Sequence, residues 1–328
     1  MVKQILFFFL LCTLLSCKEE EKYLVDASGS DGDIVVVADT NLFNTIAYKE
    51  FSSFLERDIE GLNQQEPYFK LIPIEYSKFK NILKKHLNVV FFEKTSSADS
   101  TGALFFNNVY AKNQSFCVVK FASYSDLDSI LSKNRAAIEY FFQKEELNKR
   151  YLKILQISQK EPNANLLKSN IKVIIPKEYN LVKSSENFYW FKSEILKQEG
   201  NLTHEIVKNL VISFEPYFNE KQLNVTYLSN YRDSIGLNIT GSKPDRTYTI
   251  QPEIPVWRNV INLKSKFVVI ERGMWQIKND FIGGSFVDYH ILNKQKNIII
   301  HCTGFVFAPN FNKRSYIKDF EAIFTQID

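Results

Sequence analysis

Hydrophobic and polar positions alternate along this chain with two different periods, and the switches between them mark its elements. Ile34-Val35-Val36-Val37 is β-branched throughout and predicts a buried strand over Asp33 to Ala38. Phe43, Ile46, Ala47, Phe51, Phe54, Leu55 and Ile59 form a helical stripe. They predict one helix from Leu42 to about Glu60, capped by Asn41. A second strand over Tyr68 to Glu75, a helix from Ser77 to His86 and a third strand over Asn88 to Glu93 follow. Ala103 to Lys112 and Ser115 to Ala122 read as a hairpin. A long helix then runs from Ser125 to about Ile157, with Leu127, Ile130, Leu131, Ile138, Phe141, Phe142, Tyr151 and Leu155 inward.

The polar stretch from Gln159 to Asn170 contains Pro162 and predicts a boundary. Beyond it strands dominate: Ile171 to Ile175, Phe188 to Ser193, Ile206 to Glu215, Ser265 to Glu271, Phe286 to Leu292 and Ile298 to Phe307. A short helix is expected around Thr226 to Ile235. A terminal helix is expected from Lys313 to Ile327, with Tyr316, Phe320, Ile323 and Phe324 inward. The expected class is α+β. Two sheet-based subdomains, 33–158 and 171–328, carry helices packed on their sheets, and the C-terminal half is mostly antiparallel.

The first residues have a different pattern. Lys3 is followed by an uncharged run from Ile5 to Leu15, too short for a stable span of about 20 residues but suited to an export signal. Leu14-Leu15-Ser16-Cys17 resembles a bacterial lipobox, although Leu15 is bulkier than the residue usual there. That resemblance implies cleavage after residue 16 and lipid attachment at Cys17, with 17–32 as a charged and polar tether. Lys18-Glu19-Glu20-Glu21-Lys22 is similar to the acidic signal that sends some lipoproteins to the outer face of the outer membrane. The expected location is therefore the cell envelope, in the outer membrane and exposed at the surface.

Composition sharpens the picture in two places. The 28 Phe and 16 Tyr favour half-buried sheet surfaces. The net charge of +4, spread over 328 residues, forms no basic stripe of the kind nucleic-acid binding requires. Cys117 and Cys302 remain after Cys12 and Cys17 are accounted for. An oxidising compartment would permit them to pair, but both lie in apolar runs where buried free thiols are the simpler expectation.

The best candidate for a ligand-binding loop lies between Glu271 and Gly304. It offers Trp275, Asn279, Asp280, Gly283 and Gly284: an aromatic plate, two polar groups, and glycines for close approach. The terminal hairpin supplies a second candidate. A turn over Asn293 to Asn297 places His290 opposite His301 and Asp288 opposite Thr303. His290, His301 and a carboxylate could bind metal or move protons, yet a one-residue slip would part them. The spacings match no zinc signature, nucleophile elbow or phosphate-binding loop, so no catalytic, metal or cofactor residues are assigned.

Several segments together resemble the lipoproteins catalogued as domain of unknown function 4837. They are Ser28-Gly29 before the first strand; Gly61, Glu66-Pro67 and Phe69; Ile174-Ile175-Pro176 with Trp190; and Arg232-Asp233. The densest run is Arg272-Gly273-Met274-Trp275 through Asn279-Asp280-Phe281-Ile282-Gly283-Gly284 to Phe286. Gly304 to Pro309 and Lys313-Arg314 complete it, so the resemblance spans nearly the whole chain beyond the signal. Ile282 and Ser285 depart from the family's usual residues. The resemblance implies an envelope lipoprotein of unassigned role and supplies no catalytic residues. A fainter likeness joins Ile174 to Tyr179 to the first strand of photosystem-assembly-like sheet domains. The expected function is a binding or assembly module with no cofactor. Its partners would be the membrane, through the lipid, and another envelope protein or a small ligand. A hydrolase with an unrecognised site and a structural envelope lipoprotein are the alternatives.

Overall fold

The computed structural model describes residues 24–96, 100–158, 166, 170–241, 243 and 245–327. The signal, Cys17 and the Lys18-to-Lys22 run lie outside the described residues, as does most of 159–170.

The first sheet is built around β1 (Asp33–Ala38), whose residues from Ile34 to Ala38 are fully buried. β2 (Lys70–Glu75) and β3 (Asn88–Lys94) flank it in parallel. β5 (Ser115–Phe121) runs parallel to β3, and β4 (Gly102–Asn107) closes the edge antiparallel to β5. The order is β2-β1-β3-β5-β4.

The stripe that predicts one helix after β1 forms two, α1 (Thr40–Phe43) and α2 (Ile46–Leu55). Asp39 caps the first by accepting from Leu42 N at 3.1 Å, so the cap is not Asn41. Thr45, extended in backbone, caps the second by accepting from Tyr48 N at 3.2 Å. A hydroxyl that bonds the backbone locally competes with an unbroken helix, which is why the stripe splits there. The helix expected over Ser77 to His86 is replaced by 3-10 turns at Tyr76–Lys78 and Leu83–Lys85. Asn81 between them is left-handed at φ 48°, which no helix accommodates.

Helix α3 (Tyr124–Ile157) has 34 residues, about 51 Å at 1.5 Å per residue. Leu127, Leu131, Ile138 and Phe142 pack on the first sheet, whereas Ile154 enters the core of the second.

The second sheet is antiparallel, as its patterns predict. Its strands are β6 (Asn180–Ser184), β7 (Phe188–Glu199), β8 (Leu202–Pro216), β9 (Tyr248–Ile250), β10 (Trp257–Leu263), β11 (Lys266–Ile277), β12 (Gly283–Asn293) and β13 (Ile298–Phe307). The order is β10-β11-β12-β13-β8-β7-β6, with β9 alongside β11. The expected strand over Ile171 to Ile175 is absent. Ile171 and Val173 are buried with Lys172 exposed between them, so the alternation is satisfied by chain outside any strand.

Side chains alternate across this sheet. Val287, Tyr289 and Ile291 of β12 join Ile300 and Cys302 under α5 (Arg314–Phe324). Phe286 of β12 and Phe305 of β13 join Trp190 and Trp275 on the opposite face, against α4 (Val225–Gly236).

Glu66 joins the two units. Its carboxylate accepts from the backbone N–H groups of Lys313 (2.6 Å) and Arg314 (2.7 Å), the unsatisfied donors opening α5. Arg314 in turn forks onto Glu146 of α3 at 2.8 and 2.7 Å.

Candidate functional site

Of the residues predicted as a binding loop, Trp275, Gly283 and Gly284 meet across the β11–β12 pairing, and Asn279 and Asp280 lie in the turn between the two strands. Trp275 is buried on the α4 face between Tyr248 and Phe305, and its indole N–H donates to Val306 O at 3.2 Å. Gly283 and Gly284 are strand residues of β12. A Cβ at Gly283 would stand 2.6 Å from Trp275 O, and one at Gly284 would collide with Val306 O. The glycines serve close packing of strands, and the left-handed position is Asn279 at φ 58°. Asp280 pairs with Arg246 at 2.7 Å, and Phe281 beside it is fully exposed.

The histidine pair does form, in the predicted register, with His290 opposite His301 and Asp288 opposite Thr303. The two Nδ1 atoms are 2.8 Å apart, so one proton lies between the rings. His290 Nε2 is 3.3 Å from Glu271 Oε2, and His301 Nε2 is 3.5 Å from Glu215 Oε1. Tyr231 stacks on His301 with centroids 3.9 Å apart. From α4, Arg232 reaches the sheet and bonds Asp288 Oδ2 at 2.6 Å and Glu271 Oε2. Arg258 of β10 bonds the other Glu271 oxygen. Burial alone would raise the Glu271 carboxyl, but the His290 contact and Arg232 hold it well below the usual carboxylate range.

Donor atoms of Glu271, Asp288 and His290 lie within 4.8 Å of one another, close enough for a metal ion. The guanidinium of Arg232 already bonds both carboxylates there, so a metal would have to displace it. Arg232 and Arg258 also balance Glu271 and Asp288 in charge. The cluster opens onto a cavity of only ≈ 10 Å³, about the room of one water. It is an enclosed polar core.

Burial pushes His301 down from 6.5 to about 4, against the pull of Glu215. The folded state therefore binds this proton less readily than the unfolded chain does. Its stabilising effect is complete above pH 6.5 and is lost as pH falls toward 4, by ~1.4 kcal/mol per unit at most. Urea midpoints should drop across that window, and His301→Phe should flatten the slope. An unchanged slope in the variant would show that His301 does not carry it.

Lys149 and Ser115 form another pair with suggestive chemistry. Lys149 Nζ donates to Ser115 Oγ at 2.6 Å, and burial lowers its pKa to about 8. Ser115 is fully buried, so no substrate reaches the hydroxyl. Cys117 and Cys302 are free thiols in separate cores, and burial pushes both thiol pKa values up.

An open cleft of ≈ 530 Å³ lies between α3 and the edge of the second sheet, within the ~300–1,000 Å³ range of ligand sites; a second, of ≈ 700 Å³, lies at the Lys264 and Lys294 turns and lacks an aromatic wall as large as Trp257. Tyr140 and Leu147 of α3 form one wall, and Trp257 and Ile261 of β10 the other. Arg272 closes the floor, its guanidinium 4.7 Å from the centre of the Trp257 ring and 3.3 Å from Tyr68 Oη. Amide groups of Gln143, Asn148 and Asn259 ring the cleft. Sequence patterns miss it, because β10 follows Pro252 and Pro255 and reads as loop. Trp257 at the head of the Trp-Arg-Asn-Val-Ile run was the available signal.

Fold and cleft together define an α+β protein of two sheets joined by a shared long helix. The chain belongs to the family described as domain of unknown function (DUF4837), which matches residues 158–326. Residues 27–156 match a second family, domain of unknown function (DUF8532). The first-half residues that carried the resemblance, from Ser28 to Phe69, thus fall in the second family's region. No curated protein matches. Solved structures with some likeness include the Saccharomyces cerevisiae Ran-binding protein Mog1p, at 10% identity and TM-score 0.32, covering 50% of this chain and 92% of that one. A point mutant of protein Mog1 gives 8% and 0.29, covering 49% and 91%. Superpositions this loose carry no argument.

Proposed function

We propose that this chain is a cell-envelope lipoprotein, anchored in the outer membrane by lipid on Cys17 and exposed at the surface. Its body holds a small ligand or a short segment of another envelope protein. The cleft between α3 and β10 carries this reading, because it sets an aromatic plate, Trp257, among amide groups at an opening of ligand size. The enclosure of the Glu271–His290 cluster favours binding over hydrolysis.

A photo-crosslinking residue at exposed Tyr140 tests the cleft in intact cells. It should capture a discrete envelope component that the same group at exposed Ile46 does not. Trp257→Ala should reduce capture about 30-fold, as for a central aromatic anchor worth ~2 kcal/mol. Equal capture at both positions, or none, would overturn the cleft. Cys17→Ala should leave an unprocessed precursor, and normal processing with membrane fractionation would sink the anchor.

A further inference from the structure

The point where the chain enters the body is fixed by its backbone. Ala27 N donates to Lys112 O (2.9 Å), Lys112 N to Val25 O (2.8 Å) and Ser28 N to Lys85 O (3.0 Å). Gly29, at φ 114°, lies against the His86 ring where a Cβ would collide. Residues 25–29 are therefore stitched to two turns of the first unit, one ending at His86 and one around Lys112.

Six residues lie between Cys17 and Leu24, so the seven Cα steps reach at most ~25 Å when fully extended. Anchoring at Cys17 would keep this face of the body that close to the bilayer. The side chains of the face suit such a place. Lys80, Lys84, Lys85 and Lys112 are exposed on it, with Asp26 as the acid on the entering strand. Among them stands Ile82, 70% exposed. Left-handed Asn81 turns it outward while Phe79 and Leu83 pack inward. Tyr110 is half exposed, with the Lys84 ammonium 5.4 Å from its ring centre. Lysines around an exposed aliphatic side chain and a tyrosine match the polar and apolar layers of a headgroup region.

We propose that this face is a lipid-contacting surface. Lys80, Lys84, Lys85 and Lys112 engage the phosphates of anionic lipid in the leaflet that holds the anchor, for which phosphatidylglycerol is the probe, and Ile82 dips toward the acyl boundary. The proposal rests on lipid attachment at Cys17. The acidic run Glu19 to Glu21 is a competing occupant for the lysines, but it offers nothing to Ile82 or Tyr110.

The test uses the full-length lipoprotein with Ile82→Cys labelled by an environment-sensitive fluorophore, since Cys117 and Cys302 are buried. It is reconstituted into phosphatidylcholine vesicles with or without phosphatidylglycerol. The label should shift to the blue, and be quenched by a headgroup-borne quencher, only with phosphatidylglycerol. Reversing Lys84, Lys85 and Lys112 to Glu should weaken that contact roughly fivefold per lysine, on the order of a hundredfold together. A label blind to lipid on a chain that floats with the vesicles overturns the surface while the anchor stands. Shielding that needs no anionic lipid and vanishes when Glu19 to Glu21 become Gln assigns the face to the tether, and also overturns it. A Cys17 without acyl mass overturns both.

Discussion

Arg232→Met should cost the fold about 3–5 kcal/mol at neutral pH, the usual penalty for breaking a buried ion pair from one side. Arg232 is 6% exposed and Asp288 fully buried, and one Arg232 nitrogen bonds Asp288 while another bonds Glu271. Glu271 would keep Arg258 and His290, so the stranded charge is that of Asp288. Arg232→Met with Asp288→Leu should recover most of the loss, since a matched apolar pair replaces a matched ionic one. Asp288→Leu alone should be milder than Arg232→Met, because Arg232 retains Glu271. Urea denaturation of the four members of this cycle measures the coupling directly. A single Arg232→Met variant within ~1 kcal/mol of wild type would mean the network does not hold α4 to the sheet.

How much of this was legible depended on distance along the chain. The His290–His301 pairing follows from one turn, because a hairpin's register is a local property. The partners that decide what the pair does are not local. Arg232 comes from a helix between β8 and β9, Glu271 from β11 and Glu215 from β8. One trace of them was visible: Glu271-Arg272 interrupts an apolar strand from Phe267 to Trp275, and charges inside a buried strand need partners. They point to opposite faces, Glu271 toward Arg232 and Arg272 toward Glu321. The cleft was illegible for a related reason. It lies where the outer side of the middle of α3 faces β10, an element distant in sequence, which no periodicity encodes. The glycine and tryptophan signals at Trp275, Gly283 and Gly284 mark tight strand packing in the structure, a constraint that sequence alone does not separate from one imposed by a ligand.

The opposite face of β11 gives the other large effect, and it reaches the cleft. Glu321 of α5 is fully buried and accepts from Arg272 Nε at 2.9 Å and from Lys318 Nζ at 2.7 Å. Burial alone would raise its carboxyl, but the charges of Arg272 and Lys318 bring it down to about 2. Its contribution is therefore complete above pH 4.5 and is lost as pH falls from 4.5 toward 2. Glu321→Leu removes the carboxylate that two buried cations share, leaving only the more distant Glu146 to act on Lys318, at a cost of about 3–5 kcal/mol. Burial already lowers the Lys318 ammonium, and removing Glu321 lowers it further. The variant should thus regain stability as pH rises toward 10.5, which wild type should not do to the same extent. Thermal melts across neutral and alkaline pH separate the two. Because Arg272 stacks on Trp257, the same variant should shift Trp257 fluorescence and weaken crosslinking from Tyr140. Loss of stability with an unperturbed Trp257 signal would mean the cleft wall stands without the Arg272–Glu321 pair beneath it.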